Sequence, residues 1–214
     1  MAITVRGARC DEADLLAWGM LAASRAHLKR GVWDLIIGAD EAGCLDYLKR
    51  LAVARPRSLC HFDNFLVAEV GGRAVAALCA FEFRTNGWAG VAQAMAQVQN
   101  QLGWTEADLE ASRARAAAIW NCLLPDGGAD WGIENVATLP AFRRSGLATE
   151  LVNSALCEGR ARGLRLAQIV TFIGNDAALA VYRRCGFRIA DEQRCGGIEA
   201  ALGVPGFVRL LREI

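Results

Sequence analysis

The residues from Ile133 to Ala148 constrain this chain more than any others: Ile-Glu-Asn-Val-Ala-Thr-Leu-Pro-Ala-Phe-Arg-Arg-Ser-Gly-Leu-Ala. They read as a β-strand entering a tight, basic turn that opens a helix. The first turn of a helix leaves backbone N–H groups without partners and carries the positive end of the macrodipole, so it can take up an anion such as a diphosphate. Ser145 suits the N-cap, with Thr149 and Glu150 in the first turns. Gly146 removes a side chain that would hold a phosphate away from the backbone. Pro140 has no N–H for a strand ladder and ends the pairing. Arg143 and Arg144 add positive charge. An isolated Arg-Arg-x-Gly is ordinarily a solvated junction, so the neighbourhood has to decide.

That neighbourhood is ordered. Leu147 to Arg162 is an apolar helix with Leu147, Leu151, Val152, Ala155 and Leu156 on one face, and Gly163 ends it. Leu164 to Phe172 is β-type, a second helix starts at Asn175 or Asp176 and stops at Gly186, and Phe187-Arg-Ile-Ala opens another strand. With Arg143-x-x-Gly146-x-Ala148 at the turn and Asn175-x-x-Ala178-x-x-x-Tyr182-x-x-x-Gly186-Phe187 at the second helix, residues 131 to 190 resemble the GNAT superfamily of acyl-CoA-dependent N-acyltransferases. No Gly-x-Gly-x-x-Gly follows a strand and no Gly-x-x-x-x-Gly-Lys-Ser/Thr is present, which sets dinucleotide and P-loop readings aside.

The resemblance implies an α/β (α+β) fold, with a mixed, mostly antiparallel central sheet flanked by helices. It implies acetyl-CoA, or another acyl-CoA, as donor and an amine as acceptor, by direct attack on the thioester. The diphosphate is then held by backbone N–H groups of Arg143, Arg144, Ser145, Gly146, Leu147 and Ala148, with Thr149 beside them. Val136, Ala137 and Thr138 line the pantetheine along a strand that splays from the next. Asn175 is the position that contacts the donor from the following helix, though a plain helix cap is an equal reading of it. Tyr182 matches the general acid at the departing sulfur; the alternative is a Tyr packed on the sheet. Glu134 is the leading candidate base, and strand alternation puts it on one face with Val136. A carboxylate near 4.3 facing an ammonium near 10.4 meets a gap of about 6 units, roughly 8 kcal/mol, so such a base needs burial, a water chain or an already neutral amine. Glu82 is a second candidate. His27, late in the first helix, and His61, in a loop, hold no motif position, and lining the acceptor site is the role left open to either. Trp18, Trp33, Trp88 and Trp104 suit packing, with several near the expected acceptor opening. Acylation of a hydroxyl, of a lysine or of a protein N-terminus is the variant within chemistry; a CoA-binding sensor without turnover is the alternative in another class.

The rest of the chain bounds these readings. Its 214 residues are 54% hydrophobic with a net charge of +1, enough for one well-filled core in a single domain, and the near-neutral charge argues against nucleic acid as the main partner. Its 8 cysteines form no C-x-x-C and have no histidine at ligand spacing, which argues against zinc and for scattered thiols in a reducing cytoplasm. The start of the chain lacks a signal-peptide stretch, and charges interrupt every apolar run before membrane-spanning length. A soluble, cytoplasmic protein is expected, with a homodimer as a guess from the apolar composition.

Ahead of the turn, Ile3 to Ala8 reads as a strand, and a helix begins at Asp11 or Asp14. A second helix runs from about Asp40 to Ala54, and β-type runs flank Gly71-Gly72, a two-residue hairpin signal. Phe207 to Ile214 is a last strand after a glycine-rich link. From Thr85 to Asp130, where a short turn would suffice, lie about 45 residues that exceed an ordinary connection. Trp88 to Leu102 and Thr105 to Leu123 suit helices there, the second opened by Thr105-x-x-Asp108. The insertion is either a helical hairpin that extends the core or a lid over the acceptor site.

Overall fold

A computed structural model describes residues 3–85, 88–124 and 127–214; the side chains of Trp88 and Ala89 lie outside that description, and with them the reading of Trp88 as a packing residue. The chain begins with β1 (Ile3–Gly7), α1 (Ala13–Arg25), α2 (Val32–Ile37) and α3 (Glu41–Ala52). The hairpin β2 (Phe65–Val70) and β3 (Arg73–Glu82) turns at Gly71 and Gly72 as expected. The insertion follows as α4 (Trp88–Gln101) and α5 (Glu106–Trp120), and Thr105 and Asp108 cap α5 reciprocally. Then come β4 (Trp131–Thr138), α6 (Leu147–Ala161), β5 (Leu166–Phe172), α7 (Asp176–Arg184), β6 (Arg188–Arg194), α8 (Gly196–Leu202) and β7 (Gly206–Glu213). This is the expected mixed fold, with two short helices added.

Among the described residues the strands form one sheet in the order β1-β2-β3-β4-β5-β7-β6. Every neighbouring pair is antiparallel except β4 and β5, which run parallel. Alternation along the strands feeds two cores, one on each face. Phe65, Cys79 and Phe81 point to the face covered by α1, α3 and the insertion. Leu78, Trp131, Ile133 and Ile169 point to the face covered by α6 and α7.

The two unanticipated helices are short, and their hydrophobic pattern spans too few residues to show a period. In α2, Trp33, Leu35, Ile36 and Ile37 are all buried, and tertiary packing supplies what length cannot. Gly31 ahead of it permits the close approach of α1: a Cβ there would lie 2.0 Å from the carbonyl oxygen of Ser24. Asp34 then accepts from the Gly31 N–H at 2.8 Å and pairs with Arg25 at 2.8 Å, fastening α2 to the end of α1. In α8 a buried Ile198 anchors a segment whose glycines gave no helical signal.

The expectation of eight free thiols is corrected at one pair. Cys122, just after α5, and Cys195, just before α8, form a disulfide across a separation of 73 residues, with Cα atoms 6.0 Å apart. Sequence spacing carries no information about such proximity. Cys44, Cys60, Cys79 and Cys185 are buried free thiols.

Candidate active site

β4 and β5 pair only at Trp131 with Ala167 and Gly132 with Gln168, and beyond that point they diverge. The splay expected from the sequence is therefore present, and the residues between Ile133 and Thr138 have no β5 partner. Just past the divergence, β4 carries an irregularity. Cys79 of β3 faces Glu134 while Ala77 faces Ala137, so β4 holds one residue more than β3 across this interval. Asn135 takes up the extra length at φ +54°, in the left-handed region that asparagine tolerates better than most residues.

This bulge overturns one expectation. Ile133 and Val136 both pack on the α6 face, whereas Glu134 and Ala137 turn to the α1 face. Glu134 and Val136 therefore lie on opposite faces, because simple alternation fails across an inserted residue. Glu134 is thereby aimed into a cavity of about 230 Å³. Its walls come from α1, α2, the insertion, β4, β5 and β7. Val91 and Met95 of α4, Ile119 and Trp120 of α5, and Leu123 and Leu124 beyond it form one side. The insertion thus both adds to the α1-side core and walls the cavity that Glu134 lines. Desolvation pushes the Glu134 carboxyl up to about 7.

Tyr182, on the inner face of α7, is buried with its ring edge-on to Phe187, at a centroid distance of 6.4 Å. Burial pushes its phenol well above the ordinary range, with Cys185 and Glu134 adding to the effect. The Glu134 charge contributes to that shift although the two residues belong to opposite faces of the sheet. Asn175 stands at the start of α7, but its side chain does not cap the helix. Its amide instead donates to the Thr171 hydroxyl at 2.8 Å, and Thr171 lines the cavity.

The turn between β4 and α6 differs from its sequence reading in two details. Gly146, at φ +87°, is the N-cap, and Ser145 turns its hydroxyl back to the Phe142 carbonyl. The N–H of Arg143 is taken by the Pro140 carbonyl at 3.3 Å, closing a short 3-10 turn. Donors for an anion accordingly begin after Arg143. Glu150 is the first residue of α6 to use its N–H inside the helix, bonding Gly146 at 3.1 Å, and the N–H groups of Leu147, Ala148 and Thr149 face outward from the helix start. Arg144, at φ +63°, and Gly146, at φ +87°, both take left-handed backbone, the conformation from which anion-binding concavities of successive N–H groups are built. The Arg143 and Arg144 side chains are exposed beside them. Unpaired donors, a left-handed glycine and two cations fit a diphosphate, and the splayed strands lead from that turn to Glu134.

Other candidates fall away from this arrangement. Glu82 follows Phe81 and so takes the α6 face, where it pairs with Arg162 at 3.3 Å; it does not meet the cavity. His27 lies beyond the end of α1, exposed, near Gly174. His61 is buried, accepts from the Asp63 N–H at 3.3 Å, and is held below its ordinary value by desolvation. Neither histidine lines the cavity. Trp33 does, Trp104 packs on Tyr47, and Trp120, not singled out from the sequence, stands 40% exposed at the cavity wall. Its signal was present as an aromatic residue at the end of the insertion's second helix. Among the described residues no cluster of three or more His, Cys, Asp or Glu could hold a metal ion, and no helix is long and apolar enough to cross a membrane.

Comparisons bear on this geometry at two levels. Solved structures share the fold: an N-acetyltransferase from Staphylococcus aureus Mu50 is 17% identical at TM-score 0.65, with 98% of this chain and 100% of that one covered. The Drosophila melanogaster polyamine N-acetyltransferase, which forms N-acetylagmatine, is 15% identical at TM-score 0.56, with both chains covered to 100%. No curated protein matches the sequence. The model of the acetyltransferase (GNAT) family matches residues 38–187, from the start of α3 through the end of α7 and including both the turn and Tyr182, and the chain belongs to that family.

Proposed function

We propose that this acetyltransferase moves an acetyl group from acetyl-CoA to a primary amine bound in the cavity, with Glu134 as general base and Tyr182 as proton donor. The observation that carries the reading is the bulge at Asn135, which turns a desolvated carboxylate toward the cavity at the point where β4 and β5 part.

The residues divide the work by face. The N–H groups of Arg144, Ser145, Gly146, Leu147, Ala148 and Thr149, with the charges of Arg143 and Arg144, would hold the diphosphate. Val136, Ala137 and Thr138 offer strand edge to the pantetheine amides, and Asn175 hydrogen-bonds Thr171 on the part of β5 that has parted from β4. The thioester, when bound, supplies the electrophilic carbon. Glu134, raised to about 7, takes the proton that the amine nitrogen sheds as the C–N bond forms. The gap to a free ammonium shrinks accordingly, from about 6 units to about 3, which removes roughly 3–4 kcal/mol of the cost. As the C–S bond breaks, the electron pair leaves with sulfur. Tyr182, whose elevated phenol stays protonated, donates a hydrogen bond to that thiolate rather than losing its proton outright.

A screen of thiol release from acetyl-CoA against a panel of primary amines tests the reading. Acceptor-dependent release is expected; tight CoA binding without turnover on any amine would favour a sensor on the same fold.

A further inference from the structure

The cavity that receives Glu134 has an uneven chemistry. Among its described lining residues Glu134 is the one carboxylate, and no Lys, Arg or His joins it. The other polar contributions are neutral: Ser24, Cys60, Asn135, Gln168 and Thr171. The rest of the lining is mostly aromatic and aliphatic, with Trp33, Phe83, Met95, Ile119 and Trp120 among it. Trp120 and Leu123 remain 40% exposed each, so the apolar surface continues to the mouth of the cavity.

Each feature selects against a kind of amine. A polyamine or an aminoglycoside carries further cations, and a second ammonium here would lose its water without gaining a carboxylate. An amino acid carries a carboxylate, and no cation lines the cavity to receive it. An apolar body, by contrast, gains by leaving water at the aromatic wall. Size sets a further bound. The cavity holds about 230 Å³, roughly eight water volumes, which limits the acceptor to about one ring and a short arm.

We infer that the acceptor is a compact primary monoamine on an aromatic or branched apolar body, its amino group at Glu134 and its body against the wall built by α4, α5 and the segment after α5. The inference rests on the acetyl-transfer reading and names its substrate class. The insertion is then the element that sets specificity, and Trp120 is its principal contact.

The experiment compares kcat/KM for acetyl transfer by the wild-type protein to 2-phenylethylamine and isopentylamine, on one side, and to putrescine, agmatine, kanamycin, phenylalanine and a short peptide on the other. The first group is expected to lead by about 100-fold or more, the cost of one unpaired charge in a desolvated site. In Trp120→Ala, KM for 2-phenylethylamine is expected to rise about tenfold while the affinity for CoA, titrated directly, stays unchanged. A charged or peptidic acceptor that matches or exceeds the apolar amines would overturn the substrate class and leave acetyl transfer standing. So would an unchanged KM in a folded Trp120→Ala. The absence of thiol release with every amine of both groups, despite CoA binding, would remove the acetyl-transfer reading itself and this inference with it.

Discussion

Glu134 is where chemistry and stability can be read from one side chain. Its carboxyl is near 4.5 when free and is raised to about 7 in the fold by desolvation. A carboxyl raised on folding is still protonated in the native state after the unfolded chain has lost its proton. Stability therefore falls as pH climbs from about 4.5 to about 7 and then levels off at a fixed penalty. Replacing the group by Glu134→Gln removes that penalty, so the variant is expected to be more stable than wild type at pH 8, by about 3 kcal/mol at most, and not at pH 4.5. Denaturant melts at the two pH values check this; an equal offset at both would mean that the carboxyl is not desolvated. Tyr182→Phe keeps the buried ring and removes the hydroxyl. It is expected to leave CoA affinity intact and lower kcat by about 100-fold, read by direct titration and single-turnover kinetics. The sequence marked both residues, but not the surroundings of Glu134. Alternation along a strand gave it the face of Val136, and only the pairing of Cys79 and Ala77 on β3 reveals the added residue.

At the scale of elements, the segments that were legible were those long enough to repeat a pattern or closed by a strong signal. α6, with its apolar stripe, the Gly71-Gly72 hairpin and the Thr105 capping box all stand where their residues place them. α2 and α8 were not legible because each is a short helix held by tertiary burial. The turn before α6 was legible in outline, whereas its cap was not: Ser145 is the better cap by preference, but the backbone needs a left-handed residue that glycine supplies at least cost. A Cβ at Gly146 would meet nothing within 4 Å, so Gly146→Ala carries backbone strain without a clash. Its cost is expected at about 1 kcal/mol in stability, with weaker CoA binding as the turn relaxes. Calorimetric titration of CoA checks the second effect. The Cys122–Cys195 disulfide ties the end of the insertion to the segment before α8. Breaking it by Cys122→Ser is expected to cost about 4 kcal/mol at most in the loop-entropy view, measured as a lowered unfolding midpoint under oxidising conditions.

Across the whole molecule, one sheet separates two cores, and the site lies where β4 and β5 open a passage between them. On the α6 and α7 side are the turn proposed to hold the diphosphate and Tyr182; on the α1 side is the cavity walled by the insertion. The family and its fold could be read from residues 131 to 190, since the turn and the α7 pattern lie within one continuous stretch. The cavity proposed for the acceptor could not, because its walls are gathered from segments scattered between Ala23 and Phe207. The central claim is that a carboxylate on the α1 side drives a transfer whose donor enters from the α6 side. Its most direct test is the pH dependence of kcat for acetyl transfer to a saturating amine, in wild type and in Glu134→Gln. Burial alone raises Glu134, and the groups that feel its charge, Cys60, Cys79 and Tyr182, are themselves raised and neutral in the working range. The wild-type rate is expected to rise with pH through about 7, and Glu134→Gln to lose that rise together with about 100-fold or more of the plateau rate. A Glu134→Gln profile that overlays the wild type in both shape and height would contradict the claim.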